Sequence, residues 1–117
     1  QEEIYRVVRQ ALERATAETA AGVQARGVDR AARTVIAEAG FGEHFGHGTG
    51  HGVGLEVHEQ PSVNARSGET LQAGNVVTIE PAVYLPGRGG IRLENLVVAV
   101  EGGAITLSQH PLDLMQL

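Results

Sequence analysis

The chain has 117 residues, of which 42% are hydrophobic, and this length allows one small domain with a single core. The formal net charge is −5 at pH 7 and the nine basic residues are scattered arginines, so no basic stripe is present to bind nucleic acid. Cysteine is absent, which excludes a disulfide framework and is compatible with a reducing compartment. No apolar run approaches the ~20 residues of a membrane span. We therefore expect a cytoplasmic chain that contacts neither nucleic acid nor membrane.

Two helices are predicted at the N-terminal end. Residues 2 to about 21 repeat apolar side chains at the three-and-four spacing of one helical face, and Gly22 is a suitable end. A second helix is predicted from Asp29, whose side chain is a good N-cap, to Ala39. Gly40 then occupies the position at which helices often need a left-handed residue.

The remainder of the chain is predicted to be β-structure. Six glycines between Gly42 and Gly54 exclude a continuing helix. Strands are predicted in the alternating or β-branched runs that follow, which are Leu55–His58, Val76–Ile79, Ile91–Val100 and Ala104–Leu107. Two helices followed by an antiparallel sheet predict an α+β architecture.

Three histidines are clustered in and just after the glycine-rich segment, at His47, His51 and His58. A single histidine in such a segment is most simply part of a polar surface loop. Three together favour a chemical site, because imidazole is a common metal ligand and proton carrier at neutral pH. The alternating glycines allow a neighbouring strand or a ligand to approach the backbone closely.

Two carboxylates, Glu80 and Glu94, are the other candidate site residues. A hairpin whose loop runs from Leu85 to Gly89 places them opposite each other, with Arg92 on the same face, whereas a slip of one residue separates them. Facing carboxylates repel each other unless a cation lies between them. Arg92 and a divalent metal both meet that requirement, and the residues alone leave the choice open.

Five segments occur in an order and spacing typical of one enzyme family. They are Val28-Asp29-x-x-Ala32-Arg33, His47-Gly48-x-Gly50-His51-Gly52-x-Gly54-Leu55-x-x-His58-Glu59-x-Pro61, Thr78-Ile79-Glu80-Pro81, Gly90-Ile91-Arg92-Leu93-Glu94-Asn95 and Thr106-Leu107-Ser108-x-x-Pro111-x-x-Leu114. Together they resemble the pita-bread metallopeptidases of family M24, and the Gly-x-Arg-x-Glu segment resembles the Xaa-Pro aminopeptidase and prolidase branch. The resemblance implies that residues 1–117 form the C-terminal portion of an M24-type catalytic domain. The implied fold is the C-terminal half of a pita-bread (creatinase/aminopeptidase) fold, with two helices before a curved antiparallel sheet.

The resemblance also implies a function, the hydrolysis of peptide bonds that involve proline with the help of two divalent ions (Mn, Co or Zn). The implied metal ligands are His51, Glu80 and Glu94. Glu80 is in addition the implied general base. His58 is implied to steady the scissile carbonyl and His47 to line the substrate pocket. Arg92 is implied at the substrate site, where it orients the carboxylates.

The chain departs from the family pattern in its aspartates. The family uses two upstream aspartates as further metal ligands, and this chain has only Asp29 and Asp113. Asp29 matches a helix start and Asp113 lies in the C-terminal tail, so neither matches the missing pair. We therefore expect at most one weakly bound ion and little or no peptidase activity from this chain alone.

The sequence also bears on the completeness of the chain, on its association and on alternative functions. No signal peptide is visible and the chain begins at Gln1, so we expect it to be part of a longer protein. An apolar face left by missing strands favours a homo-oligomer. The alternatives are a non-catalytic pita-bread binding module and a creatinase-type hydrolase, and the retained ligands His51, Glu80 and Glu94 disfavour both.

Overall fold

Two amphipathic helices begin the chain and pack against each other. The computed structural model describes residues 2–53, 59–108 and 115–116. The helices are α1, Glu2–Glu18, and α2, Ala25–Glu38, and a short 3₁₀ turn follows at Gly42–His44. α1 ends before the predicted position because the Thr19 N–H donates to the Thr16 carbonyl instead of continuing the helix. The Thr19 hydroxyl donates to the Ala15 carbonyl at 2.8 Å.

The start of α2 corrects the prediction that Asp29 caps this helix. The N-cap residue is Gln24, whose side chain makes no capping hydrogen bond. Asp29 lies inside the helix and is 1% exposed. Its carboxylate is engaged by Arg33 and Thr49 instead of by the helix N-terminus. The end of α2 is as predicted, with Gly40 in the left-handed region at a φ of 93°.

The described residues form eight strands in two antiparallel sheets. The strands are β1 (Gly50–Gly52), β2 (Glu59–Val63), β3 (Val76–Ile79), β4 (Ala82–Leu85), β5 (Gly89–Arg92), β6 (Asn95–Val100), β7 (Gly103–Thr106) and β8 (Met115–Gln116). One sheet has the order β2-β1-β3-β6-β7 and the other has the order β4-β5-β8. The strand predicted at Leu55–His58 lies outside the described residues. No helix in the described ranges is long and apolar enough to cross a membrane.

β3, β4, β5 and β6 form one long hairpin that is interrupted in the middle. In its outer part β4 pairs with β5 from Leu85 opposite Gly89 to Ala82 opposite Arg92, and in its inner part β3 pairs with β6 beginning at Ile79 opposite Asn95. These two ladders share one register, and it is the register predicted for the hairpin.

The interruption of the hairpin corrects the prediction of one strand over residues 91–100. By continuity of the register, Glu80 lies opposite Glu94 and Pro81 lies opposite Leu93. Pro81 has no N–H to donate, and the Leu93 N–H donates to the Pro81 carbonyl in a long bond of 3.3 Å. The strands therefore divide between two sheets at the position of the two carboxylates.

The hydrophobic core lies between the helices and the sheets. It is built largely from aliphatic side chains, including Leu12, Ile36, Leu71, Ile79 and Leu93, each of which is fully buried. Phe45 is the buried aromatic residue of this cluster, at 2% exposure. This core fixes α2 beside the glycine-rich segment, and so positions the backbone that carries the clustered histidines.

Candidate functional site

An open pocket of about 280 Å³ lies where the two sheets diverge. Its lining residues are His47, Gly48, Gly50, His51, Ser62, Asn64, Glu80 and Arg92. Four of the predicted site residues, from the glycine-rich segment, the end of β3 and the end of β5, are thus brought to one cavity. The glycines in the lining leave the backbone itself accessible beside the histidines.

His51 presents one ring nitrogen to Glu80. His51 Nδ1 lies 2.9 Å from the Gly52 carbonyl oxygen. A carbonyl oxygen can only accept, so Nδ1 carries the proton and Nε2 of the neutral ring has the lone pair. His51 Nε2 lies 3.8 Å from Glu80 Oε2, which is too far for a direct hydrogen bond. The pair is therefore spaced for a third atom to lie between them.

Glu80 is held at the end of β3 by its backbone. Its N–H donates to the Thr49 carbonyl oxygen at 2.6 Å, so the residue is tied to the glycine-rich segment before β1. The Glu80 side chain is 19% exposed, and its carboxylate therefore faces the pocket from a largely buried position. Pro81 follows at once and ends the regular pairing of β3.

A close backbone contact explains the glycine that precedes His51. A Cβ added to Gly50 would collide with the carbonyl oxygen of Thr78 in β3. The His51 N–H also donates to the Thr78 hydroxyl at 3.1 Å. Glycine at position 50 thus allows β1 to approach β3 closely enough for His51 to reach Glu80.

His47 forms a wall of the pocket. Its Nδ1 lies 2.6 Å from the Gly48 carbonyl oxygen and is therefore the protonated nitrogen. Its Nε2 is buried and has no hydrogen-bond partner within the described part of the chain. Phe45 and Tyr84 pack edge-on against the ring, with centroid distances of 5.2 and 5.7 Å. A buried acceptor in this position is suited to a hydrogen bond from a bound ligand.

The remaining predicted residues have different positions. Arg92 is at the end of β5 and lines the pocket. Glu94 lies between β5 and β6 and is exposed, and the described lining of the pocket does not include it. The convergence of Glu94 with the other site residues stays a prediction. His58 lies outside the described residues.

Sequence reasoning missed two lining residues, Ser62 and Asn64. Ser62 pairs with His51 across β1 and β2, and Asn64 follows the end of β2. Their polarity carries no distinctive signal in the sequence. The alternation of β2, in which Pro61 and Val63 are buried, is the feature that could have placed Ser62 on the pocket side.

Comparison with known proteins identifies the family. Residues 1–101 match the model of metallopeptidase family M24. The chain belongs to this family. The match includes every predicted site residue of the M24 chain, from His47 to Glu94.

Relatives and solved structures agree with that membership. The Xaa-Pro dipeptidase of Pyrococcus horikoshii is 42% identical over 115 residues, which are 98% of this chain and 33% of that protein. An Xaa-Pro dipeptidase structure from Bacillus anthracis matches with a TM-score of 0.93 and 41% identity, covering 99% of this chain and 33% of that one. An X-Pro aminopeptidase structure from Thermotoga maritima matches with a TM-score of 0.92 and 44% identity, covering 96% and 32%. The two helices and antiparallel sheets are thus part of a pita-bread fold, and the chain spans about a third of the length of these relatives.

The donor atoms of the M24 chain fit a divalent cation in chemistry and spacing, but they form only part of a coordination sphere. An ion about 2 Å from each ligand accommodates an imidazole nitrogen and a carboxylate oxygen up to about 4 Å apart. The separation of 3.8 Å between His51 and Glu80 meets this condition. Across residues 2–53, 59–108 and 115–116, however, no group of three or more His, Cys, Asp or Glu side chains is placed to hold a metal. Within these residues, His51 and Glu80 are the two predicted ligands whose measured separation fits a shared ion.

Proposed function

We propose that this chain supplies the C-terminal portion of the catalytic domain of a metal-dependent peptidase that hydrolyses peptide bonds involving proline. The observation that carries the proposal is the separation of 3.8 Å between His51 Nε2 and Glu80 Oε2 in a pocket shared with His47 and Arg92. The relatives named Xaa-Pro dipeptidase support the proline-containing substrate. The substrate class nevertheless rests on those names and not on the pocket.

The proposed metal ligands are His51, Glu80 and Glu94. Divalent ions of the Mn, Co or Zn type, when bound, would polarise the scissile carbonyl and make water more acidic. The lone pair of His51 Nε2 is directed by the bond from Nδ1 to the Gly52 carbonyl, so the ring needs no tautomer change to bind a cation. Glu94 lies opposite Glu80 in the hairpin register, which supports its place beside Glu80 in the ligand set.

The other residues would act on the substrate and the proton. Glu80, with its carboxylate largely shielded from solvent, would take the proton of the attacking water as the general base. The buried Nε2 of His47 is an acceptor suited to a substrate N–H. His58 is proposed to steady the scissile carbonyl. Arg92, on the pocket wall, would orient the carboxylates and the substrate.

The metal site in this chain lacks some of its proposed ligands. Asp29 is buried in a bidentate pair with Arg33 and does not line the pocket, so it cannot supply a missing aspartate ligand. We therefore propose that this chain binds at most one ion, weakly, and has little or no activity unless an upstream region supplies two further ligands. We also propose a cytoplasmic location and a homo-oligomeric state, with neither nucleic acid nor membrane as a partner.

Titration of the chain with Mn²⁺ in a calorimeter tests the metal site. We expect weak binding of one ion and a loss of at least about 100-fold in affinity for His51→Ala. Removal of a direct metal ligand should lower the affinity at least as much as removal of a residue that hydrogen-bonds to a ligand. His44→Ala is the matched control, because His44 lies on the 3₁₀ turn outside the pocket lining and its loss should leave the affinity unchanged. Equal losses in the two variants, or no Mn²⁺ binding by the parent chain, would overturn the proposed site.

An assay of Xaa-Pro dipeptide hydrolysis tests the activity. We expect no turnover above background from the 117-residue chain, and turnover from a chain extended upstream to the length of the relatives. The extended chain should lose activity with Glu80→Gln and keep it with Glu101→Gln, which changes an exposed glutamate. An extended chain that binds metal without hydrolysing the dipeptide would favour the binding-module alternative.

A further inference from the structure

A buried polar network connects α2 to the candidate site through the backbone. Asp29 is 1% exposed, and its two carboxylate oxygens accept hydrogen bonds from Arg33 Nε and Nη2, each 2.9 Å long. The Thr49 hydroxyl donates to the same carboxylate at 2.7 Å. A bidentate arginine–carboxylate pair of this kind has a defined geometry, so it is a rigid anchor for whatever it holds.

Arg33 holds the chain on both sides of Gly46. Its Nη1 donates to the Phe45 carbonyl and its Nη2 donates to the His47 carbonyl, both at 2.9 Å. The guanidinium also lies over the Phe45 ring, with Cζ 4.2 Å from the ring centroid. The segment between Phe45 and Thr49 has no helix or strand of its own, so these bonds replace the missing regular structure.

Thr49 carries the network on to Glu80. Its hydroxyl is fixed by Asp29, its N–H donates to the Val63 carbonyl at 2.8 Å, and its carbonyl accepts the Glu80 N–H at 2.6 Å. The network therefore ends at two site residues, at the His47 carbonyl through Arg33 and at the Glu80 amide through Thr49. Asp29 and Arg33 themselves line a separate cavity of about 250 Å³ that shares no lining residue with the candidate site.

We propose that Asp29, Arg33 and Thr49 are positioning residues that set the spacing of His47 and Glu80 across the pocket. The inference deepens the proposed function and rests on it. The described lining of the pocket includes none of the three, so they act through the backbone of the residues they hold. A planar guanidinium is required because one side chain must serve a carboxylate and two carbonyls at the same time.

The Thr49→Val and Thr49→Ser pair tests the inference without leaving a buried charge unpaired, since Arg33 still engages Asp29 in both variants. Valine removes the hydroxyl at nearly constant shape, and serine retains it. We expect hydrogen exchange at the Glu80 amide to rise by about tenfold in Thr49→Val, the change brought by one hydrogen bond of typical strength. Thr49→Ser should restore the parent rate. The Val97 amide, on β6 between β3 and β7, should be unchanged in both.

A second variant and a second readout complete the test. Arg33→Lys keeps the charge but lacks the planar fork, so we expect the ring resonances of His47 to shift while the far-ultraviolet circular dichroism is retained. Unchanged Glu80 exchange in Thr49→Val, or equal increases at Glu80 and Val97, would overturn the positioning role. If Arg33→Lys fails to fold, the exchange rates of Thr49→Val and Thr49→Ser test the positioning role by themselves.

Mn²⁺ affinity separates the inference from the proposed function. We expect it to fall in Thr49→Val and to be retained in Thr49→Ser. If the parent chain binds no Mn²⁺, the proposed function fails, and the exchange rates still decide the positioning role. If affinity and exchange are both unchanged in Thr49→Val, the positioning role fails while the proposed function stands.

Discussion

His51 faces Glu80 across two neighbouring strands, with His51 Nε2 3.8 Å from Glu80 Oε2. Two backbone contacts produce this spacing. Gly50 lies directly against the Thr78 carbonyl oxygen, and the Thr49 carbonyl accepts the Glu80 N–H at 2.6 Å. The distance between the two side chains therefore depends on how closely β1 can approach β3, and the absence of a side chain at position 50 sets that approach.

Gly50→Ala should destabilise the chain and separate His51 from Glu80. The added methyl group meets a backbone carbonyl oxygen, which cannot rotate away as a flexible side chain can. We expect a loss of about 3 kcal/mol in the free energy of unfolding, at the upper end of the usual cost of overpacking. Urea denaturation measures this loss.

Gly68→Ala is the control for this substitution. A Cβ at Gly68 meets no atom within 4 Å, and its φ lies outside the left-handed region. Its effect should remain within about 0.5 kcal/mol. Equal effects of the two substitutions would show that the contact with Thr78 does not limit the approach of β1.

Glu80→Gln should weaken Mn²⁺ binding by at least about tenfold, the lower limit for loss of an outer-sphere partner. The amide has nearly the same shape but no charge, so the fold should be retained while the attraction for a cation is lost. Glu101→Gln changes an exposed glutamate in the turn between β6 and β7 and should have no effect. Calorimetry compares the two variants, and unchanged affinity in Glu80→Gln would remove Glu80 from the ligand set.

Glu94→Ala should weaken Mn²⁺ binding less than His51→Ala. Glu94 is exposed whereas the Glu80 side chain is 19% exposed, so solvent screens the attraction between Glu94 and a cation more strongly. We expect a loss of about tenfold or less in affinity. A loss as large as that of His51→Ala would show that Glu94 is an equal ligand, and no loss would exclude it.

Leu93→Ala should destabilise the hairpin where it passes between the two sheets. Leu93 is fully buried, and deletion of a buried leucine side chain costs about 2–5 kcal/mol. Leu107→Ala is the matched control, since Leu107 is 49% exposed and its loss should cost less than about 1 kcal/mol. Urea denaturation of both variants measures the difference, and similar values would contradict the burial of Leu93.

The proposed homo-oligomer is tested at the edge of the first sheet. β7 is an edge strand, and Ile105 within it is 54% exposed. An exposed apolar edge favours pairing with another chain, and a charge on it opposes such pairing. We expect Ile105→Lys to reduce the average mass measured by light scattering at high concentration. A parent chain that remains a monomer would contradict the expected association.

Local sequence patterns predicted most of the secondary structure. Apolar spacing predicted both helices, the β-branched run predicted Val76–Ile79 as β3, and the glycine after α2 was placed correctly in the left-handed region. The turn-rich segment after Tyr84 predicted the hairpin, whereas its register was chosen partly because it sets the two carboxylates opposite each other. These features depend on residues that are close along the chain, so local sequence patterns are sufficient to predict them.

The errors have a common origin in partners distant along the chain. Asp29 has the side chain of an N-cap, but α2 begins earlier, at Ala25, and the Asp29 carboxylate accepts a hydrogen bond from Thr49, 20 residues along the chain. Residues 91–100 have the composition of one strand, but Pro81 on the partner strand interrupts the pairing at Leu93. In both cases a long-range contact overrides a local preference.

The sequence by itself determined the family and the residue types of the candidate site. Tertiary structure decided which of these residues meet. His51 and Glu80 come together because β1 and β3 pair at a glycine. Motif spacing records the order of residues along the chain. The distance between their side chains depends on pairing and packing between segments that are far apart in the sequence.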